Sequence, residues 1–358
     1  MSDDATGTAA AEQGLSGAAA EVAQFEEDAP SLLRRTQQFF HHYPTTIPFL
    51  ILMLAAVVFT FVTNGKFLGT LNLSLILAQV TIIGILGTAQ TLVIITAGID
   101  LSVGAIMVLS SIVMGKLATD FGVPVPIAFT AGILTGLACG LFNGMLITLL
   151  KLPPFIVTLG TWSIFAALVT LVSQSATIRA QALDEFAPFL QMLGSRIPIG
   201  GGAFLMYGSI VMLAAAALVW YLLSRTAFGR HVYAIGDDPN AARLSGIQVN
   251  WTLIKVYSLT GLLCGVAGWI LIGRVGAVSP LGNQTANLDA ITAVVIGGTS
   301  LFGGRGSIVG TLFGALIVGV FDSGLSLTGV DPLWRQLTVG ALIIIAVSID
   351  QWIRRISA

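Results

Sequence analysis

Long apolar runs separated by short polar stretches fill the sequence from Ile47 to Ile349. These runs approach or exceed the length that a helix needs to cross a bilayer, roughly 20 residues. A buried core helix explains one such run, but a whole series excludes a soluble enzyme with a single core. The pattern therefore predicts an all-α, polytopic membrane protein with about ten transmembrane helices. The predicted spans are 47–63, 73–95, 101–118, 126–150, 155–173, 204–224, 254–273, 287–300, 308–325 and 334–350.

Two segments precede the first span. Residues 1–30 are rich in Ala, Gly and acidic side chains, and too few large apolar side chains are present to offset the entropy of ordering. We therefore predict a disordered acidic tail on the cytoplasmic side. Residues 31–46 place Leu and Phe beside Arg34 and Arg35, which favours a helix lying on the bilayer surface, and a frayed linker fits nearly as well. The rest of the chain, 47–358, is the predicted transmembrane domain.

Composition and charge agree with a membrane protein and give it an orientation. Hydrophobic residues make up 55% of the chain and charged residues 9%, whereas soluble domains carry roughly a quarter charged residues. Arg34 and Arg35 should keep the N-terminus in the cytoplasm. Alternating spans then place ten basic residues inside and six outside, which predicts that both termini are cytoplasmic. No basic cluster exceeds a pair, so nucleic acid is not an expected partner, whereas membrane lipid is.

Small residues recur at helical spacing inside the spans. Gly132, Gly136, Gly140 and Gly144 occupy every fourth position of the fourth predicted span. In lipid, helices associate through close contact of small residues, because no hydrophobic force drives them together. The spacing predicts a tightly packed helix bundle.

Groups suited to catalysis are scarce. The histidines, His41, His42 and His231, lie outside the predicted spans, and no metal-binding motif is present. The glycine-rich string Gly298–Arg305 lacks the lysine of a phosphate-binding loop. The sequence therefore predicts neither an enzyme nor a protein with its own cofactor or metal.

Polar side chains within the apolar spans are candidates for a translocation path. Asp322 lies deepest among the acidic ones, whereas Asp100 and Asp289 lie near span ends, where an N-cap or helix-dipole role explains them better than transport does. Hydrogen bonding between helices is an equally good explanation for each neutral residue. The candidates are Thr88, Gln90, Thr91, Asp100, Ser102, Asn143, Thr158, Thr161, Asp289 and Asp322.

The loop between the sixth and seventh spans contains the signals of a short helix. Asp238 before Pro239 is a typical N-cap followed by proline at the first helical position, and Gly246 is suited to end the helix. We expect such a helix to expose a small apolar surface through Ala241, Ala242 and Leu244. A partner-docking role and a position on the lipid surface both fit.

Several strings resemble those of one transporter family. The segment Asn240-Ala-Ala-Arg-Leu-Ser-Gly246 resembles the E-A-A-x-x-x-G coupling helix of ABC importer permeases, with Asn in place of Glu. Four further strings resemble the sugar-importing branch of that family, which includes ribose, xylose and fructose permeases. They are Ala97-Gly-Ile-Asp-Leu-Ser-Val-Gly104, Lys151-Leu-Pro-Pro-Phe-Ile-Val-Thr-Leu-Gly160, Thr226-Ala-Phe-Gly-Arg-His-Val-Tyr-Ala-Ile-Gly236 and the glycine-ended string from Ala290 to Gly304.

The resemblance implies the ABC importer permease fold and a set of partners. These are a cytoplasmic ABC ATPase, which binds and hydrolyses ATP, a periplasmic sugar-binding protein and a second permease copy. The implied cargo is a monosaccharide such as fructose, ribose, mannose or xylose. The alternative is a self-sufficient, ion-coupled sugar carrier that uses Asp322 or Asp289. Within the implied coupling loop, 225–253, the ATPase-contacting residues are Asp237, Asp238, Pro239, Asn240, Ala241, Ala242, Arg243 and Gly246.

Two further features qualify the resemblance. Much of the family has Glu-Leu-Asp where this chain has Asn287-Leu-Asp289, so position 287 lacks one acidic group. The long outer loop from about 173 to 203 contains Arg179, Glu185 and Arg196, and such mixed charges suit a transient contact with the binding protein. A solvated linker fits that loop equally well.

Overall fold

Most of the predicted transmembrane domain is described by the computed structural model, which covers residues 45–331 except 283 and 284, together with scattered positions between 333 and 348. The predicted acidic tail, nearly all of the interfacial segment and most of the tenth predicted span lie outside the described residues. The helices are α1 (Thr46–Val62), α2 (Thr70–Ile95), α3 (Val103–Thr119), α4 (Val125–Leu149), α5 (Pro154–Ser173), α6 (Ala180–Phe186), α7 (Pro188–Gln191), α8 (Tyr207–Arg225), α9 (Ala227–Asp237), α10 (Pro239–Leu244), α11 (Val249–Val275), α12 (Ala286–Ile296) and α13 (Ile308–Leu327).

This architecture confirms the prediction of a polytopic helical membrane protein. In the described part of the chain, six helices have the length and apolar composition to cross a membrane: α2, α4, α5, α8, α11 and α13. Three shorter apolar helices, α1, α3 and α12, accompany them. The run predicted as a span at 287–300 needs correction, since α12 ends at Ile296 and its 11 residues extend only about 16 Å. That length is roughly half of a bilayer core, and α12 begins beside the start of α3, where Asn287 Nδ2 donates to Leu101 O at 3.2 Å.

Glycines bring α4 and α11 into direct backbone contact, as their spacing predicts. A Cβ atom added to Gly140 would lie 2.8 Å from the Cα of Gly261, and one added to Gly136 would lie 2.9 Å from the Cα of Gly265. Backbone atoms at such distances cannot move aside as a flexible side chain can. The two helices therefore pack closely at this crossing because their glycines have no side chains.

A short β-hairpin precedes α8 and corrects the predicted start of the sixth span. Strand β1 (Arg196–Gly200) pairs antiparallel with β2 (Ala203–Met206), so residues 204–206 belong to a strand rather than to the span. Gly201 between them has a φ of +58°, a conformation that glycine adopts without strain. The hairpin is attached to the beginning of α2, because the Phe204 N–H donates to Ser74 Oγ at 2.9 Å.

The loop before the hairpin is folded rather than a bare linker. Helices α6 and α7 and a 3₁₀ turn (Met192–Gly194) bury Leu183, Leu190 and Leu193. Phe189 of α7 stacks on Trp269 of α11, with ring centroids 5.2 Å apart. This packing fixes the segment against the end of α11 and gives a defined shape to the candidate surface for a binding protein.

The hairpin and the short helices α9 and α10 mark two ends of the helix bundle. We call the end with β1 and β2 the hairpin end, where α2 begins and α11 ends. We call the end with α9 and α10 the loop-helix end, where α8 ends and α11 begins. The functional candidates divide between these two ends and a polar cluster inside the bundle.

Candidate functional sites

The loop-helix site is built by the local signals that the sequence contains. Asp238 caps α10, with its Oδ1 accepting from Asn240 N at 2.7 Å and from Ala241 N at 3.2 Å. Pro239 stands at the first helical position, and Gly246 follows the helix with a φ of +84°. The predicted helix, its cap and its end are confirmed.

The surface of α10 differs from the expected one at a single position. Ala242 is only 4% exposed, because it packs between Ile235 of α9 and Val249 of α11. The expectation that Ala242 contributes to an exposed apolar surface is therefore wrong. Leu244, by contrast, is 90% exposed and is the large apolar side chain that this helix presents outward. The other exposed residues of the site are Asp237, Asp238, Pro239, Asn240, Ala241, Arg243 and Gly246.

Helix α9 connects this surface to the bundle through its last glycine. Gly236 packs against the carbonyl group of Ile95, the last residue of α2, and a Cβ added to it would lie 2.5 Å from Gly304 N. The Gly304 N–H itself donates to Ile95 O at 2.9 Å. Three stretches of backbone, from α9, from the end of α2 and from the turn before α13, meet there.

A tyrosine reinforces the same junction. The Tyr233 hydroxyl of α9 donates to the carbonyl oxygen of Gly306 at 2.8 Å. Burial raises the pKa of Tyr233, so the phenol stays protonated and keeps its donor role across the neutral pH range. Side-chain and backbone contacts together hold α9 on the 297–307 segment.

The buried polar cluster lies where the chain passes from α2 to α3. Asp100 is fully buried, and its Oδ1 accepts from Ser102 N at 2.8 Å and from Ser102 Oγ at 2.6 Å. Asn143 of α4 donates from Nδ2 to Ser102 Oγ at 2.8 Å. Thr158 of α5 donates to Ile99 O at 3.0 Å and accepts from Leu101 N at 3.2 Å. Four of the candidate path residues are thus brought together around this one connection.

The cluster corrects the role expected for Asp100 in helix capping. Ser102 is the N-cap residue of α3, and Asp100 bonds to Ser102 rather than to the N–H groups of the first helical turn. Asp289, however, lies in the first turn of α12 as expected, where Thr285 Oγ1 donates to it at 3.1 Å.

The remaining candidates are spread over the bundle. Thr91 of α2 shares a hydrogen bond of 2.6 Å with Thr311 of α13, and Thr88 donates to Gly84 O within α2. Gln90 is completely buried, and its amide has no hydrogen-bond partner among the described residues. Thr161 donates to Thr158 O at 3.4 Å, next to the buried polar cluster. Asp322 lies away from that cluster and lines a cavity at the hairpin end.

Two residues at the buried polar cluster were not among the predicted path residues. Tyr257 of α11 is fully buried, and a Cβ added to Gly98 would lie 2.8 Å from its hydroxyl oxygen. Asn287 holds the start of α12 to Leu101 through its amide donor. A polar side chain inside an apolar span is the signal that would have marked Tyr257, as it marked Asn143.

Residues 72–347 match the family described as branched-chain amino acid transport system / permease component. This match covers more than half of the chain and includes the loop-helix site and the buried polar cluster. The chain belongs to this permease family. It is a multi-pass membrane protein and a transport subunit rather than an enzyme.

Curated relatives extend over nearly the whole chain. A fructose import permease protein of Rhizobium meliloti is 53% identical over 347 residues, which are 97% of this chain and 96% of that protein. A ribose import permease protein of Bacillus subtilis is 40% identical over 304 residues, 85% of this chain and 92% of that protein. A D-allose transport system permease protein of Escherichia coli is 34% identical over 319 residues, 88% and 94% of the two chains. No solved structure matches the chain.

Proposed function

We propose that this chain is the membrane-spanning permease subunit of a bacterial ABC importer for a monosaccharide, with fructose as the cargo. The observation that carries the proposal is the 53% identity to a fructose import permease over 97% of the chain. The family description names amino acid transport, but the three relatives above carry sugar names. This ancestry favours a monosaccharide over an amino acid and a subunit over a self-sufficient carrier.

The loop-helix site is the proposed docking surface of a separate ATPase. Leu244 is an exposed apolar side chain surrounded by polar and charged neighbours. An apolar centre with a polar rim is typical of a protein–protein interface. Gly236 connects that surface directly to Ile95 and Gly304. A displacement of α10 together with α9 would therefore be transmitted to the end of α2 through backbone contacts, without an intervening flexible side chain.

The orientation follows from the same assignment. With the ATPase in the cytoplasm, the loop-helix end faces the cytoplasm and the hairpin end faces the periplasm, and both termini are cytoplasmic. The folded segment of α6, α7 and the hairpin is then the proposed docking surface for a sugar-binding protein. A second copy of the permease completes the transporter in the inner membrane.

We propose that the buried polar cluster forms part of the translocation path. Asp100, Ser102, Asn143 and Thr158 are hydroxyl, amide and carboxylate groups of the kind that exchange hydrogen bonds with sugar hydroxyls. They surround a non-helical connection, and irregular backbone at membrane depth occurs where protein buries it or where it lines a cavity. We propose that opening of this connection exposes the cluster to sugar. Thr88, Gln90, Thr91, Thr161, Asp289 and Asp322 remain predicted path residues.

Uptake of labelled fructose tests the cargo assignment. Cells that lack the gene for this chain should lose high-affinity fructose uptake, and a plasmid copy should restore it. Unlabelled ribose, xylose and mannose serve as competitors. If fructose uptake is unchanged and uptake of another sugar is lost instead, the fructose assignment is wrong while the permease assignment stands.

A further inference from the structure

A polar cavity at the hairpin end is separate from both sites described above. Its volume is about 540 Å³, within the usual range for small-ligand sites, and its walls come from α2, α11, α13 and the hairpin. Two guanidinium groups, those of Arg196 and Arg274, line it together with the carboxylate of Asp322. Arg274 stands in the last turn of α11, and the ends of membrane-spanning helices generally lie near the lipid headgroups.

The guanidinium groups of Arg196 and Arg274 make few hydrogen bonds among the described residues. The Cζ atom of Arg196 lies 4.4 Å from the centroid of the Phe204 ring, a cation–π contact that holds the guanidinium group beside the cavity. Arg274 Nη1 makes a long hydrogen bond of 3.4 Å to Gln79 O, which occupies one donor of five. Paired guanidinium forks are suited to the oxygen atoms of a phosphate.

The polar wall opposite is already fixed by internal hydrogen bonds. Asn72 donates from Nδ2 to Phe67 O at 2.8 Å and accepts at Oδ1 from Ser323 Oγ at 2.8 Å. These two bonds hold the Asn72 and Ser323 side chains in place at the cavity. The carboxylate of Asp322 disfavours a second negative charge in the ligand and favours one that also carries a cation.

Exposed apolar side chains border the cavity. Leu75 and Leu327 both line the cavity and are 45% and 42% exposed. Leu71, one turn earlier on α2, is 53% exposed. A soluble phosphate gains nothing from these leucines, whereas acyl chains attached to a phosphate would pack along them.

We propose that this cavity binds the headgroup of a zwitterionic phospholipid of the phosphatidylethanolamine type. The phosphate lies between Arg196 and Arg274, the ammonium group lies toward Asp322, and the acyl chains run along Leu71 and Leu75. The lipid joins the hairpin to the helix ends. The proposal assigns Asp322 to the lipid headgroup instead of to the sugar path predicted for it above.

Native mass spectrometry of the delipidated transporter, titrated with phosphatidylethanolamine or phosphatidylglycerol, tests the proposal. We expect Arg196→Met and Arg274→Met each to weaken binding of phosphatidylethanolamine roughly tenfold, because each removes charged hydrogen bonds. Lys66→Met is the matched control, since it removes one positive charge at the same end outside the cavity. Arg274→Lys keeps the charge without the fork and should give an intermediate loss, which separates binding from a failure to fold.

Three results would overturn the proposal. The first is binding by the two arginine variants that equals wild type, or a loss in Lys66→Met that is just as large. The second is inorganic phosphate that displaces the lipid fully at equal concentration, which would make the ligand a soluble phosphate. The third is an Asp322→Asn variant that keeps the wild-type preference for phosphatidylethanolamine over phosphatidylglycerol.

Discussion

Gly236 of α9 packs directly on the carbonyl group of Ile95, the last residue of α2. No side chain separates the two backbones, and Gly304 donates to the same carbonyl oxygen at 2.9 Å. Asp237, the residue after Gly236, belongs to the surface proposed to dock the ATPase. That surface therefore adjoins a backbone contact with the bundle. The buried polar cluster begins at Ile99, four residues beyond Ile95.

A methyl group at Gly236 tests this contact. Gly236→Ala places a Cβ among backbone atoms of Ile95 and Gly304, which cannot yield as side chains do, and overpacking of this kind costs about 1–3 kcal/mol. We expect a lower melting temperature of the purified complex and a loss of sugar uptake. The control is Gly160→Ala, where a Cβ meets nothing within 4 Å. Wild-type uptake by Gly236→Ala would contradict the proposed role of this contact.

The surface of α10 is tested by two aspartates at neighbouring positions. Leu244→Asp changes a side chain that is 90% exposed, so the protein should insert at normal levels but fail to retain the ATPase on purification. Ala242→Asp instead buries a charge against Ile235 and Val249, so it should reduce the amount of folded protein. An ATPase that co-purifies undiminished with Leu244→Asp would show that α10 is not the docking surface.

How far the sequence determined this site depends on the range of the interactions. Asp238, Pro239 and Gly246 act within one helical turn, and so the helix and its ends were predictable from neighbouring residues. The burial of Ala242 depends on Ile235 and Val249, which belong to two other helices. No local pattern contains that information.

The same distinction holds inside the bundle. The glycine spacing of α4 predicted close packing, because a repeat of four residues marks one helix face. The meeting of Asp100 and Asn143 joins residues more than forty positions apart, through Ser102. Polarity marked them as candidates, but only the tertiary fold brings them together. The hairpin was missed because its strands are short and run directly into α8.

The crossing of α4 and α11 is tested by a large side chain. Gly140→Leu places a branched group against the backbone of Gly261, so the two helices must separate and their packing is lost. We expect little or no folded protein in the membrane, measured as fluorescence-detected gel filtration after detergent extraction. Gly160→Leu, at an open position of α5, should behave as wild type. A normal elution profile for Gly140→Leu would place this glycine elsewhere.

The carboxylate of Asp100 is tested by a pair of substitutions. Asp100→Ala leaves the N–H and hydroxyl of Ser102 without their acceptor, which costs about 1–3 kcal/mol, whereas Asp100→Asn retains an oxygen that accepts both bonds. We expect the melting temperature to fall for the alanine variant and to stay near wild type for the asparagine variant. Sugar uptake should fall in both, because the proposed path includes this carboxylate. Full uptake by Asp100→Asn would remove Asp100 from the proposed path.

The central claim is that this chain moves sugar only with energy from a separate ATPase. The most direct measurement is fructose uptake into liposomes that contain the purified chain, first alone under a proton or sodium gradient, and then with the ATPase, the binding protein and ATP. We predict no uptake above empty liposomes in the first case and ATP-dependent uptake in the second. Gradient-driven accumulation of fructose by the chain alone would contradict the claim and make the protein a self-sufficient carrier.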